Sequence, residues 1–375
     1  MSDYQLIVIG AGPGGYTAAL EAARLGLHTA VVERREVGGT CLNRGCIPTK
    51  TLLHASQVYY DAVNGAGVGV HGSLSYDIGE MFAFKRSVSE KLRSGIHALL
   101  KGAKVDVIEG MAQIAAPGQV DVTGADGAVT RYTAERILAA TGSVNVRPPI
   151  PGLELPGVMT GIDFLRAVNL GEAPAIGTSV AVIGGGNVAI DVARAAVRLG
   201  AEVTVVYRRD RDSMPAADDE IAEAAEEGVS FRFLASPAEI LGDGKAETLR
   251  IELMELRGGK PAGTGVYETM NVSAVISAVG QEIELNGISV DTGAKGTVTV
   301  SLPSFQTSEA DVFAGGDVVT GPKFAIDAIA AGKEGAISIH RYVHPGQSQV
   351  IGRDHRDYKA MNPATAGVAI DGFDT

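Results

Sequence analysis

Apolar residues run along this chain in short stretches separated by glycine turns. "YQLIVIG" opens with an apolar run of strand length, "AGPGGYTAALEAARLGL" continues as a glycine turn and a helix, and "HTAVVERR" returns to a strand. The same order recurs in "SVAVIGGGNVAIDVARAAVRLGAEVTVVYRRDRDSMP". Two such units predict an α/β protein with two Rossmann-like domains, each shaped to hold a dinucleotide. Between the copies, residues 51–115 read as largely helical, followed by the strand-like "VDVIEG" and "YTAERILAATGS". Prolines stiffen "VRPPIPGLELPGV" and forbid helix there, so this stretch marks the crossing into the second domain. "VSAVISAVG" near 272–280 should close that domain. "DVFAGGDVVTGPKFAIDAIAAGKEGAISIHRYV" should then return the chain to the first, which is therefore discontinuous. Residues 344–375 are polar and irregular, an expected extension.

Composition removes several function classes. With 45% hydrophobic residues among 375, the chain can bury a sizeable core, yet no apolar run reaches the roughly 18 residues of a membrane span. A net charge of −12 opposes contact with a polyanion, so nucleic acid is not an expected partner. The chain starts on a strand pattern without a signal peptide and has only two cysteines, which predicts a cytoplasmic protein.

The two glycine turns differ where they would meet a ribose. In the first, Gly10 permits the turn, Gly12 lets backbone approach a pyrophosphate, Gly15 packs the helix on the sheet, and Glu33 ends the next strand as an acceptor for ribose hydroxyls. In the second, Gly184, Gly186 and Ala189 hold the three turn positions, but Tyr207, Arg208 and Arg209 stand where the acid would be. A guanidinium there suits a 2′-phosphate, so the second site reads as one for NADPH, with NADH the lesser choice. Arg34 and Arg35 also follow Glu33, so paired arginines alone decide nothing; the lost acid carries the inference.

These residues resemble the FAD-dependent pyridine nucleotide-disulfide oxidoreductases, over almost the whole chain to about residue 343. "GGTCLNRGCIPTK" at 38–50 looks like the active-site signature of the dihydrolipoamide dehydrogenase class, while "AATG" at 139–142 and "DVFAGGD" at 311–317 look like the inner FAD-contacting motifs. The second half is more similar to the small subunit of glutamate synthase and related electron-input flavoproteins. The resemblance implies an FAD-binding domain at 1–148 and 291–343, an NAD(P)H-binding domain at 149–290 and a C-terminal extension at 344–375. It implies FAD contacts from Gly10, Gly12, Gly14, Gly15, Glu33, Arg34, Gly39, Thr40, Lys50, Ala112, Ala140, Thr141, Gly142, Gly316, Asp317, Lys323, Phe324 and Ala325. For the pyridine nucleotide it implies Gly184, Gly186, Asn187, Val188, Tyr207, Arg208, Arg209 and Gly280. By the same resemblance Cys46 would lie against the flavin, Cys41 would face the acceptor, and Lys50 would place its ammonium beside the ring, paired with Asp191 where the disulfide reductases carry Glu. Asp317 would hold the ribityl chain, and a helix starting near Lys323 and Phe324 would face the flavin pyrimidine.

Two departures accompany the likeness. Dihydrolipoamide dehydrogenases carry a C-terminal interface domain with a His-Glu pair, and "HPGQSQV" after Val343 has no Glu at the expected place; glutamate synthase small subunits begin with a cysteine-rich iron–sulfur segment, which two cysteines cannot supply. Both departures point to a partner-dependent protein.

Cys41 and Cys46 are open to three readings. A metal site would need further Cys or His ligands close in sequence, and none is there; a structural disulfide suits a secreted protein better than a cytoplasmic one. A redox couple fits best. The seven histidines, His28, His54 and His97 among them, form no catalytic grouping. Two functions compete. One is an NADPH-dependent reductase passing electrons through FAD and the Cys41–Cys46 pair to a disulfide substrate or an electron-accepting partner protein. The other is an electron-input subunit of a larger iron–sulfur or flavin complex, in which FAD passes electrons directly to a partner subunit.

Overall fold

The computed structural model describes residues 2–172, 174–285, 287–344 and 346–348; most of the expected C-terminal extension, from 349 on, lies outside the described residues. The first part of the chain supplies β1 (Tyr4–Ile9), α1 (Pro13–Arg24), β2 (Thr29–Glu33), α2 (Gly39–Asn43), α3 (Cys46–Asn64), α4 (Ile78–Gly102), β3 (Asp106–Glu109), β4 (Met111–Ala116), β5 (Gln119–Thr123) and β6 (Val129–Ala139). Strands β3, β2, β1 and β6 lie side by side and parallel, with Leu6 opposite Thr29 and Ile7 opposite Ile137. The eleven residues of β6 serve two layers. Its first half pairs antiparallel with β5, and its second half runs parallel to β1. The β1 run shows no apolar–polar alternation because both of its faces are covered. Leu6 and Val8 join a core with Ala18, Leu100 and Ile339 from the helices, whereas Ile7 and Ile9 join one with Val120 and Val122 of β5.

The middle of the chain supplies β7 (Val144–Asn145), β8 (Val158–Thr160), α5 (Gly161–Leu170), β9 (Ser179–Ile183), α6 (Asn187–Arg198), β10 (Glu202–Tyr207), α7 (Asp218–Glu226), β11 (Ser230–Phe233), β12 (Ala235–Leu241), β13 (Thr248–Arg257), β14 (Lys260–Asn271), β15 (Ala274–Ser277) and β16 (Gln281–Glu282). A parallel sheet in the order β11-β10-β9-β15-β8 buries one face against α5, α6 and α7 through Phe164, Ile190, Val203 and Ile276. Its other face, through Ala181, Ile183 and Val206, meets Leu249 and Ile251 of an antiparallel sheet, β12-β13-β14. These three strands, between 235 and 271, are not among the elements the sequence predicts. Strands β7 and β16 pair antiparallel, so the two chain crossings run next to each other.

The chain then returns with β17 (Val312–Ala314), α8 (Asp317–Thr320) and α9 (Ala325–Val343). Strand β17 adds to β6, with Phe313 opposite Leu138. Helix α9 crosses α1 so closely that a Cβ at Gly332 would stand 2.2 Å from the Gly14 carbonyl oxygen. The two helices therefore meet backbone to backbone, and their N-termini open on the same side as the C-terminal ends of β1, β6 and β17. Two parallel α/β units, the first discontinuous, make this the two-dinucleotide-binding architecture the sequence predicts. No described helix is long and apolar enough to cross a membrane.

Candidate active site

The first glycine turn is shaped by backbone, not side chains. Gly10 holds φ +99°, and a Cβ there would meet the Ala140 carbonyl oxygen at 2.5 Å; one on Gly15 would strike the Gly10 carbonyl. A Cβ on Gly12 would stand in open space. That clearance, at the N-terminus of the twelve-residue α1, is what a pyrophosphate needs. Beside it, a cavity is lined by Gly10, Glu33, Arg34, Ala112, Thr141 and Gly142. Glu33 is oriented by two amides: Ala11 N donates to Oε2 at 2.8 Å and Arg35 N to Oε1 at 2.9 Å. The residues present fit an adenine dinucleotide.

At the far end of the cradle stand Gly316, Asp317 and the start of α9. The Ser143 hydroxyl donates to Asp317 Oδ2 at 2.9 Å and lies 3.1 Å from Gln281 Oε1, while the Lys323 amide reaches Asp317 Oδ1 at 3.4 Å. Burial pushes the Asp317 carboxyl up, against the pull of these donors. Phe324, 65% exposed, caps α9 ahead of Ala325.

The cysteine segment is fastened to this turn. Gly38 N donates to Ala11 O at 2.8 Å, and a Cβ on Gly39 would be 2.9 Å from Gly12 Cα. The Asn43 amide donates to Val37 O and Gly39 O, both at 3.0 Å, closing α2 into a tight loop whose Thr40 carbonyl accepts from Arg44 and Gly45. Arg44 in turn pairs with Glu36. Helix α3 starts at Cys46, so its first amides point back at α2. Both cysteines are free thiols here, Cys41 half-buried and Cys46 exposed. A hydrogen bond from Cys46 draws the Cys41 thiol down to about 7, against its burial, and the amides of Cys46 and Ile47 and the Lys50 charge assist. The same hydrogen bond, made to Cys41, pushes the Cys46 thiol up. The hydrogen bond between the two thiols thus favours ionisation at Cys41 over Cys46.

Lys50 lies one helical turn beyond Cys46, on the same face. Its Nζ is 3.4 Å from Asp191 Oδ1 on α6, the pairing the resemblance implies, and 2.5 Å from Glu220 Oε1 on α7. Burial alone would lower the Lys50 ammonium; the Glu220 hydrogen bond and both carboxylates leave it raised. Burial raises Asp191, and the Glu220 charge adds to the rise. Asn169 Nδ2 donates to Thr49 Oγ1 at 3.1 Å, and Arg198 donates to Leu53 O at 2.7 Å and Gln57 Oε1 at 2.9 Å, so α3 is docked on the second domain along its length.

The second glycine turn repeats the backbone of the first. Gly184 has φ +139° with a Cβ position 2.3 Å from Ala278 O, and Gly186 is open but for Pro215 Cγ at 3.9 Å. Its surroundings differ. The Tyr207 ring packs on Gly185, and its hydroxyl donates to Ser213 O at 2.7 Å. Ala216 N donates to Gly185 O at 3.2 Å and Ala217 N to Asn187 Oδ1 at 3.1 Å, so the 208–217 segment is folded onto the turn next to Val188. Arg208 is exposed, and Arg209 Nε is buried without a partner among the described residues. Gly280, φ +116°, follows β15 and accepts from Val146 N at 3.2 Å. The expected residues thus gather in two cradles, with the cysteines and Lys50 between the first cradle and α6–α7. Glu220, Asn169 and Arg198 were not foreseen. Glu220 sits in the acidic run "ADDEIAEAAEE", which reads as an ordinary solvated helix start. Among the described residues, no cluster of His, Cys, Asp or Glu has the makings of a metal site.

Two dinucleotide cradles with a cysteine pair lodged at one of them define a flavoprotein oxidoreductase. The chain belongs to the pyridine nucleotide-disulphide oxidoreductase family, whose sequence model matches residues 4–332, and it is an FAD-dependent enzyme of that family. It is similar to the dihydrolipoyl dehydrogenase of Thermus scotoductus, 34% identical over 348 residues covering 90% of this chain and 70% of the relative. It is also similar to dihydrolipoyl dehydrogenase 2 of Haloarcula marismortui, 34% identical, covering 88% and 69%. In fold it matches the HOCl-induced flavoprotein disulfide reductase of Escherichia coli, solved as a Cu(II) complex, with TM-score 0.68, 24% identity, and coverage of 92% of this chain and 72% of that one. Both dihydrolipoyl dehydrogenases span the second half as well, and the expected likeness of that half to the glutamate synthase small subunit is not shown.

Proposed function

We propose that the enzyme takes reducing equivalents from NADPH and delivers them through its flavin site to the Cys41–Cys46 pair, and from there to a disulfide on a small molecule or a partner protein. In this reading residues 1–148 and 291–343 hold the flavin and 149–290 the pyridine nucleotide. Bound FAD would carry electrons two at a time between the nicotinamide and the cysteines. The observation that carries the reading is the placing of the pair: Gly38 N to Ala11 O at 2.8 Å fixes the segment to the flavin turn, and Cys46, at the start of α3, hydrogen-bonds Cys41 and draws its thiol down.

The chemistry of the pair follows from that asymmetry. The Cys41 thiolate attacks one sulfur of the substrate disulfide, forming a mixed disulfide and releasing the first substrate thiolate, which takes a proton from solvent. Cys46 then gives up its proton to the second departing sulfur and attacks Cys41 Sγ, closing the Cys41–Cys46 disulfide and freeing the second thiol. Two electrons have left the protein, and two substrate thiols have formed. Lys50 holds positive charge beside the pair throughout. NADPH as donor is supported by Arg208 and Arg209 at the end of β10 and by the absence there of a carboxylate like Glu33.

Alkylation of the reduced protein by iodoacetamide tests the first step. Its rate at Cys41 should rise with pH through a midpoint near 7, because a depressed thiol is ionised above its folded value and neutral below it. Cys46→Ala, which removes the largest cause of the shift, should move that midpoint up toward the ordinary thiol value of about 8.5. Both Cys41→Ser and Cys46→Ser should abolish disulfide reduction. Unchanged electron delivery to the natural acceptor in both variants would overturn the reading in favour of direct transfer from the flavin to a partner subunit.

A further inference from the structure

Lys50 has two carboxylate partners, and they are not equal. Asp191, one methylene short of Glu, reaches Nζ only at 3.4 Å, whereas Glu220 reaches it at 2.5 Å from the first turn of α7. Glu220 Oε2 is buried and has no hydrogen-bond partner among the described residues, so the carboxylate is committed to the ammonium through one oxygen and cannot relax into solvent. Three and four residues earlier, Ala217 N is bound to Asn187 Oδ1 and Ala216 N to Gly185 O, at the N-terminus of α6 where a dinucleotide phosphate would sit. The start of α7 is thus tied at one end to the second glycine turn and at the other to the lysine beside the cysteines.

We propose that Glu220 is the principal carboxylate of Lys50, a positioning residue, and that through Ala216 and Ala217 it relays occupancy of the second dinucleotide site to the ammonium next to Cys41 and Cys46. The relay rests on the assignment of that site to a pyridine nucleotide; the Lys50–Glu220 pairing does not. A phosphate drawn to the amides of Asn187 and Val188 offers the Ala217 N–H an alternative acceptor to Asn187 Oδ1, which now holds it. A shift there moves Glu220, and the ammonium is left to Asp191, whose neighbours on the same side are Arg194 and Cys46.

The test is labelling of Lys50 by acetic anhydride, read by mass spectrometry on the full chain. Without nucleotide, Glu220→Gln should label severalfold faster at a pH below the lysine's ordinary value, because the ammonium loses a hydrogen bond and a negative charge that hold it protonated. Asp191→Asn should change it less, and Glu220→Asp should restore part of the protection. Equal labelling of Glu220→Gln and the unmutated chain, with unchanged melting temperatures, overturns the pairing. Saturating NADP+ should alter the Lys50 labelling rate in the unmutated chain and leave it unaltered in Glu220→Gln. The same change in both forms means that the nucleotide acts on Lys50 without Glu220, and overturns the relay. If calorimetry shows that neither NADP+ nor NAD+ binds, the relay falls together with the assignment of the second site, while labelling without nucleotide still decides the role of Glu220.

Discussion

The two glycine turns of this enzyme share a backbone and differ in what surrounds it. In the first, Glu33 is held by two amides and faces a cavity with no side chain over Gly12; in the second, an aromatic ring and a folded segment lie against Gly185 and Gly186, and two arginines replace the acid. The backbone geometry answers a demand common to every dinucleotide, close approach of a pyrophosphate to helix amides. In the proposed reading the surroundings answer the demands that differ, a ribose in one case and a charged ribose phosphate in the other.

The largest effect is expected at the open glycines. Gly12→Val should leave the fold intact, because the side chain enters free space, yet lower flavin affinity at least about a thousandfold, ~4 kcal/mol, seen as a colourless protein. Gly186→Val should spare the yellow colour and lose pyridine nucleotide binding in calorimetry. A yellow Gly12→Val protein would break the assignment of the first turn. Next in size, Arg208→Ala with Arg209→Ala should erase a preference for NADPH over NADH of roughly 1.5–3 kcal/mol, the size of hydrogen bonds to a charged group, and Tyr207→Glu should push preference toward NADH. Equal affinities in the unmutated enzyme would remove the distinction between the turns. The smallest effect belongs to Arg34→Ala with Arg35→Ala. Both side chains are exposed, so flavin affinity should fall by less than about 1 kcal/mol. A larger loss would mean that paired arginines matter equally at both sites.

What the sequence shows of this molecule is what lies close together along the chain. Gly10 to Glu33, Cys41 to Lys50 and Gly184 to Arg209 are short strings in which turn, helix start and strand end fall at fixed offsets, so their local geometry could be read directly. Lys50 with Asp191 came from resemblance and is present, at a longer distance than its second partner. Glu220 stayed hidden because its partner is 170 residues away and its own neighbourhood, three acids in a helix's first turn, has a sufficient local explanation. Asn169 and Arg198 escaped for the same reason: a polar side chain on a helix carries no mark of the domain it will touch. The sheet β12-β13-β14 was missed because one of its faces is solvated over much of β14, and its apolar positions do not gather into a run like those of β1 and β9.

The crossing of α1 and α9 has a consequence for how the chain is made. About 200 residues separate Ala139, at the end of β6, from Ile339, which packs in the same layer as Leu138 and Phe313. At a synthesis rate of ~5–20 residues per second the ribosome needs roughly 10–40 s to cover that distance. Throughout this interval the nascent first sheet lacks β17 on one edge and α9 on one face, while the whole second domain emerges as an uninterrupted piece of sequence. The order of completion is therefore the reverse of the order of translation, and until α9 arrives the unfinished sheet leaves Leu138 and the glycine face of α1 uncovered.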